Sequence, residues 1–348
     1  FLIPIRNPRF LDILNGLILI FILSSFTIGQ SQEPAKSKRT SPWNAEWITG
    51  PGIPINRWTA SRDENLKRYG VFKFRKDLEL KNKPSNYVVH VSGDNRYKLY
   101  VNGQLASQGP TRGDLYFWNY ETVDISPFLK QGNNLIAAVV WNDGPVKPEA
   151  QITHLTGFIL QGDTKIEEDI NTDDSWKTIE DKSYSPLAVR VGGYYVAGPG
   201  ELVDMNKHIQ GWENPEYNDE SWVTARVIGT GNLKKYAVNS TGWMLVPSPI
   251  PQMEMTKERL ATTRKSSGVR VPKSFPAEKA DFSIPANSEA TLLLDQGHLT
   301  NAYPTLIFSG GKNTQISMGY AESLYIHTDE DLKGFRVPEL PKGNRDEV

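Results

Sequence analysis

The sequence predicts an all-β protein, two β-sandwich domains behind an N-terminal signal segment, and three features predict it. Apolar and polar residues alternate over short stretches, as half-buried strands require. Glycine and proline are frequent, 28 and 23 among 348 residues, and they punctuate those stretches. Windows of helical periodicity are nearly absent. With 38% hydrophobic residues the chain can bury sizeable cores and is long enough for two or three domains.

Phe72-Lys73-Phe74-Arg75 alternates, Tyr87 to Val91 is aromatic and β-branched, and Tyr97 to Val101 runs into Asn102-Gly103. Asn-Gly predicts a tight hairpin, because both turn residues need positive φ. Leu135 to Trp141 is continuously apolar, as expected of a central strand covered on both faces. Ser126-Pro127-Phe128-Leu129 predicts one short helical turn with Ser126 as its cap, stopped by Gly132. Asp173 to Trp176 and Asn218 to Trp222 echo each other and predict corners where polar side chains cap the backbone while the indole drops onto a sheet.

The proline-rich stretch Pro247 to Pro251 reads as a hinge. A second strand set follows, with Ala290 to Asp295, Thr305 to Phe308 and Thr314 to Tyr320, and a turn at Gly310-Gly311. The N-terminus carries Arg6 and Arg9, the apolar run Leu17 to Leu23, then small and polar residues, which is a secretory signal layout. The run falls short of the roughly 20 residues that cross a bilayer. The expected organisation is therefore a signal peptide over 1–29, cleaved near Gly29, a linker over 30–42, a first sandwich over 43–250 and a second over 251–348, in an exported protein, periplasmic or secreted, with no membrane span once mature.

The formal net charge of −1, from 39 basic and 40 acidic residues, argues against nucleic acid as a partner. The absence of cysteine excludes disulfides, thiolate metal sites and a cysteine nucleophile. His90, His154, His208, His298 and His327 form no metal-ligand spacing, and no Gly-x-Ser-x-Gly elbow occurs.

Asp94 to Gly103, then Gly109-Pro110-Thr111-Arg112-Gly113-Asp114, Trp118 and Val140-Trp141-Asn142 resemble, in that order, the N-terminal sandwich of bacterial α-L-rhamnosidases. Gly200 to Asp204, Gly211-Trp212 and Asp219 to Trp222 are similar to the same family, as are Ile284-Pro285-Ala286, Leu293-Leu294-Asp295 and Tyr320-Ala321-Glu322. The strand and turn pieces also look like the sugar-binding domains of β-galactosidases. The resemblance implies sandwiches of the jelly-roll, galactose-binding-like kind in a protein that removes terminal α-L-rhamnosyl groups with inversion. It also implies a helical (α/α)6 barrel carrying the catalytic carboxylates. Nothing before Val348 resembles that barrel, and Lys342 to Arg345 resembles the connector ahead of it, so no catalytic residue is expected here. The alternative is a stand-alone carbohydrate-binding module; either way the expected partner is a rhamnose-containing oligo- or polysaccharide.

The candidate sugar-binding residues are Arg112, Asp114, Trp118, Trp141 and Asn142. An indole can stack on the C–H face of a sugar ring while Arg, Asp and Asn bond vicinal hydroxyls, and loops after hairpins concentrate such residues. An Arg–Asp pair that merely holds the loop, with a buried Trp118, is the competing reading, as is a pure turn role for Asn142-Asp143. Asp94 and Asn95 could hold a structural calcium ion, which prefers carboxylate and amide oxygens; no other cofactor is evident. Glu201, Asp204 and Glu322 match family segments but lack a proton-transfer partner, which favours structural roles.

Overall fold

The computed structural model describes residues 5–6, 37, 39, 41–53, 68–187, 198–236, 242–321, 325–326 and 335–336. The expected signal segment beyond 5–6, most of the linker, Glu322, His327 and the stretch 342–345 lie outside the described residues. Two compact units are present, a larger one over 29–254 and a smaller one made of 1–28 and 255–348. No helix among the described residues is long and apolar enough to cross a membrane.

The smaller unit contributes the first strand, β1 (Ile5–Arg6). The larger unit follows with β2 (Glu46–Thr49), β3 (Gly70–Leu80), β4 (Val88–Asp94), β5 (Arg96–Val101), β6 (Gln104–Gly109) and β7 (Trp118–Asp124). Next come β8 (Gly132–Asn142), β9 (Gly157–Gly162), β10 (Lys177–Glu180), β11 (Tyr184–Leu187) and β12 (Gly200–Val203). It closes with β13 (Val223–Thr224), β14 (Arg226–Thr230) and β15 (Leu245–Pro247). One six-stranded sheet has the order β13-β10-β3-β8-β5-β6 and the other β14-β2-β9-β4-β7-β15, with β11 and β12 as a separate hairpin. Every pairing in the two sheets is antiparallel except β15 on β7.

The pleat explains how this sequence makes a sandwich. On β8, Ile136, Ala138 and Val140 enter the main core, while Leu135 and Ala137 face a second cluster with Trp212 and Trp222. Both faces are covered, so the run reads as uninterrupted apolar sequence, and β8 is central as predicted. The main core includes Trp47, Phe72, Phe74, Tyr97, Leu99, Phe158 and Trp176. Each such side chain contributes about 1.5–3 kcal/mol by leaving water.

Turn chemistry follows the sequence closely. Asn102 (φ 49°) and Gly103 (φ 80°) join β5 to β6. Trp176 is fully buried and donates through Nε1 to Asn171 O at 3.0 Å, while Asp173 Oδ1 accepts the Ser175 N–H at 2.9 Å. The turn at Ser126–Phe128 forms, but its N-cap position is Ile125 and not Ser126, and the preceding Asp124 holds the entry by accepting the amides of Ser126 (2.9 Å) and Tyr87 (3.0 Å) at Oδ1.

In the smaller unit, β16 (Thr262–Ser267), β17 (Glu289–Asp295), β1 and β18 (Gln315–Ile316) form a four-stranded sheet in that order, and β19 (Tyr325–Ile326) pairs with β20 (Phe335–Arg336). Ala290, Leu292 and Leu294 alternate inward on β17. Gly310 and Gly311 take positive φ, as the expected turn requires. Thr305 to Phe308, expected as a strand, is irregular and exposed, with Ile307 at 88%, and pairs with none of the described strands.

Candidate glycan-contact site

The loop from Gly109 to Trp118 is built by local polar chemistry. Asp114 Oδ1 accepts the amides of Tyr116 (2.8 Å) and Phe117 (3.0 Å), a turn that pushes both aromatic rings into solvent. Asn119 Nδ2 donates to the carbonyls of Thr111 (3.1 Å) and Arg112 (3.0 Å) and clamps the loop's base. Glu121 accepts from the amide and hydroxyl of Thr111, both at 3.1 Å, and from Gln252 Nε2 at 2.9 Å. Gly113 is required by close approach, because a Cβ there would collide with the Phe117 carbonyl oxygen. The parallel pairing of β15 with β7 brings Val246 and Pro247 opposite. Between these walls lies an open cleft of about 750 Å³, lined on one side by Arg112, Asp114, Phe117 and Asn119 and on the other by Val246, Pro247 and Pro249. The Lys234 ammonium sits 3.0 Å over the Phe117 ring centroid.

The five sequence candidates separate. Arg112 and Asp114 line the cleft. Trp118 does not: it is 3% exposed, set edge-on to Trp243 at 6.4 Å, and has no face for a sugar. The exposed aromatic groups are its neighbours, Tyr116 and Phe117. The Asx turn at Asp114 is the sequence signal that could have found them. Trp141 is half-buried on the first sheet, paired in register with Arg96 and Val71 and away from the cleft lining. Asn142 is fully buried, donating to Thr153 Oγ1 at 2.9 Å and accepting from the Gly144 amide at 2.8 Å, so it holds the turn and reaches no ligand.

Asp94 is buried and saturated. Its Oδ1 accepts from Asn95 Nδ2 (2.7 Å) and Thr153 Oγ1 (2.8 Å), and its Oδ2 from the amides of His154 (2.7 Å) and Leu155 (3.3 Å) and from Trp243 Nε1 (3.0 Å). Five protein donors leave this carboxylate no lone pair directed at a cation, which makes it a strut of the fold. Asn95 is likewise engaged, its Oδ1 accepting the Asp143 amide at 2.8 Å. Among the described residues no group of three or more His, Asp or Glu side chains is arranged to hold a metal.

Other carboxylates differ in their surroundings. Burial pushes the Asp143 carboxyl up, opposed by the Arg96 and Arg112 charges. Burial likewise raises Glu201, with Asp143 adding to it and Lys98 opposing. Asp204 accepts the Asn206 amide at 3.1 Å and pairs with Lys207 at 3.0 Å. His90 is buried against Asp163 (3.0 Å) and Thr122 (3.0 Å) and stacks on Trp43.

Two mainly antiparallel sheets closed over an aromatic core, with a loop cleft of mixed polar and apolar lining, define a protein built on a jelly-roll-type β-sandwich. Residues 82–244 of the sandwich match the α-L-rhamnosidase N-terminal domain family. Among curated relatives, an α-L-rhamnosidase of Streptomyces avermitilis is 22% identical over 198 residues, 54% of this chain and 16% of that protein. An α-L-rhamnosidase of Alteromonas sp. strain LOR is 23% identical over 204 residues, 52% of this chain and 20% of that protein. The chain thus spans a fifth or less of the length of these relatives. A solved rhamnosidase of the GH78 family from Bacillus sp. GL1 superposes with a TM-score of 0.54 at 26% identity, over 67% of this chain and 22% of that one.

Proposed function

We propose that this chain serves an α-L-rhamnosidase as a non-catalytic, glycan-contacting part, in a protein that hydrolyses terminal α-L-rhamnosyl bonds with inversion. The match of residues 82–244 to the N-terminal domain of that family carries the reading. Inverting hydrolysis needs an acid and a base roughly 6.5–9.5 Å apart across a sugar. In the sandwich, Asp94, Asp163, Asp181 and Asp219 are committed to the fold through hydrogen bonds or ion pairs. The cleft beside Arg112 and Phe117 is the surface on which a rhamnose-containing glycan would lie, with Phe117 offering ring surface and Arg112 and Asp114 offering polar contacts. Export to the periplasm or medium, suggested by the N-terminal basic and apolar layout, is part of the same proposal.

The test combines two assays on the same protein. The chain should release no rhamnose from an aryl α-L-rhamnoside, yet bind a rhamnosylated oligosaccharide in calorimetry, with the heat lost in Phe117→Ala. Release of rhamnose, or absence of any saturable heat, would defeat the proposal.

A further inference from the structure

Six arginines of the larger unit lie among its described residues, and four of them donate through their guanidinium. Arg39 bonds Gly162 O, Pro42 O and Glu168, Arg68 pairs with Glu180, Arg75 with Asp219, and Arg226 bonds Ile53 O. Arg96 and Arg112 are the exceptions. Among the described residues neither guanidinium makes a hydrogen bond or an ion pair within 4 Å, although both act on the Asp143 carboxylate from a distance. Arg112 lines the cleft, and the Lys234 ammonium, outside the lining, sits over the ring of Phe117, again without a carboxylate partner among the described residues. The one carboxylate in the lining, Asp114, has an oxygen occupied by two backbone amides. One cationic group therefore lines the cleft and a second covers its exposed ring, and neither forms an ion pair with a carboxylate among the described residues.

A planar guanidinium with its donors free matches a carboxylate bidentately, and a half-covered aromatic ring suits the C–H face of a pyranose. We propose that the cleft takes a uronosyl residue, so that the glycan bound is an acidic, rhamnose-containing polysaccharide: Arg112 grips the uronate carboxylate, Lys234 adds charge, and Phe117 seats the ring. This rests on the glycan-contact reading above and specifies its ligand.

The experiment is calorimetry of the full chain with an oligosaccharide of rhamnose and glucuronic acid, and with the same oligosaccharide after reduction of its carboxyl groups to alcohols. The acidic form should bind about tenfold tighter, the size of one lost charge-assisted hydrogen bond. That gap should vanish in Arg112→Gln, shrink in Lys234→Gln, and narrow in about 1 M salt, where screening acts over about 3 Å. Arg112 is exposed, so near-ultraviolet dichroism should show the variant folded as before. Equal affinity for both forms, or a gap that survives Arg112→Gln, overturns the uronate assignment while leaving glycan contact standing. Binding of neither form overturns both.

Discussion

Arg75 Nε donates to Asp219 Oδ2 at 2.7 Å, across 144 residues of sequence, and so ties the segment from Ile209 to Trp222 onto the outer face of β3. The same guanidinium bonds the carbonyls of Trp212, Asn214 (3.0 Å) and Tyr217 (3.3 Å) and lies over the rings of Tyr217 and Trp222. Lys73 adds a buried pair with Asp181 at 2.6 Å and a bond to Ile209 O at 2.9 Å. This is how a sheet face that would otherwise expose Leu135 and Ala137 acquires its own small core.

Arg75→Ala should therefore cost about 1–3 kcal/mol, because Asp219 keeps Lys177 as a partner at 2.6 Å while the carbonyls of Trp212, Asn214 and Tyr217 lose their donor. Urea titration would show it, together with loss of near-ultraviolet signal from Trp212 and Trp222. A change under about 1 kcal/mol would mean the segment is held by its aromatic contacts alone.

Stability should fall in two stages on acidification. Burial holds the His90 imidazole below its ordinary 6.5, against the pull of Asp163, and burial does the same to His208. A depressed histidine contributes stability present above its unfolded value and lost as pH drops through the folded one, so the first stage begins below about 6.5. For Asp219, burial raises the carboxyl, but hydrogen bonds from Lys177 and Arg75 overcome it and hold the group below 3.8, which places the second stage under that value. Denaturant midpoints measured against pH should show both stages, with the first reduced in His90→Gln.

Trp118→Ala and Phe117→Ala should part company despite adjacency. The first empties a core position and should cost about 3–5 kcal/mol. The second removes an exposed ring and should leave the melting temperature nearly unchanged while weakening any glycan binding. Thermal scans of the two variants check this directly.

Gly113→Ala should damage the cleft and spare the core. The new methyl would meet the Phe117 carbonyl oxygen and lie 3.2 Å from Asn119 Nδ2, forcing the loop outward. Melting should change little, and ligand heat should drop.

The sequence was most informative where the chemistry is local. The Asn102-Gly103 hairpin, the buried indole of Trp176 at its Asp-Ser corner, and the doubly covered run of β8 all follow from neighbouring residues. Trp118 shows where this stops. A strand turns alternate residues to opposite faces, so a one-residue difference in where the Asp114 turn releases the chain decides whether 117 or 118 faces solvent. Asn142 and Asp94 were illegible for another reason: their partners Thr153, His154 and Trp243 lie 11 to 149 positions away, and only the closed sandwich brings them together.

The most direct measurement is calorimetry of the chain with a rhamnose-terminated oligosaccharide, run beside Phe117→Ala. The account predicts a saturable heat in the parent protein that disappears in the variant while the fold persists. No heat in the parent, or an unchanged heat in the variant, would contradict a glycan-contacting cleft between the Arg112 loop and β15.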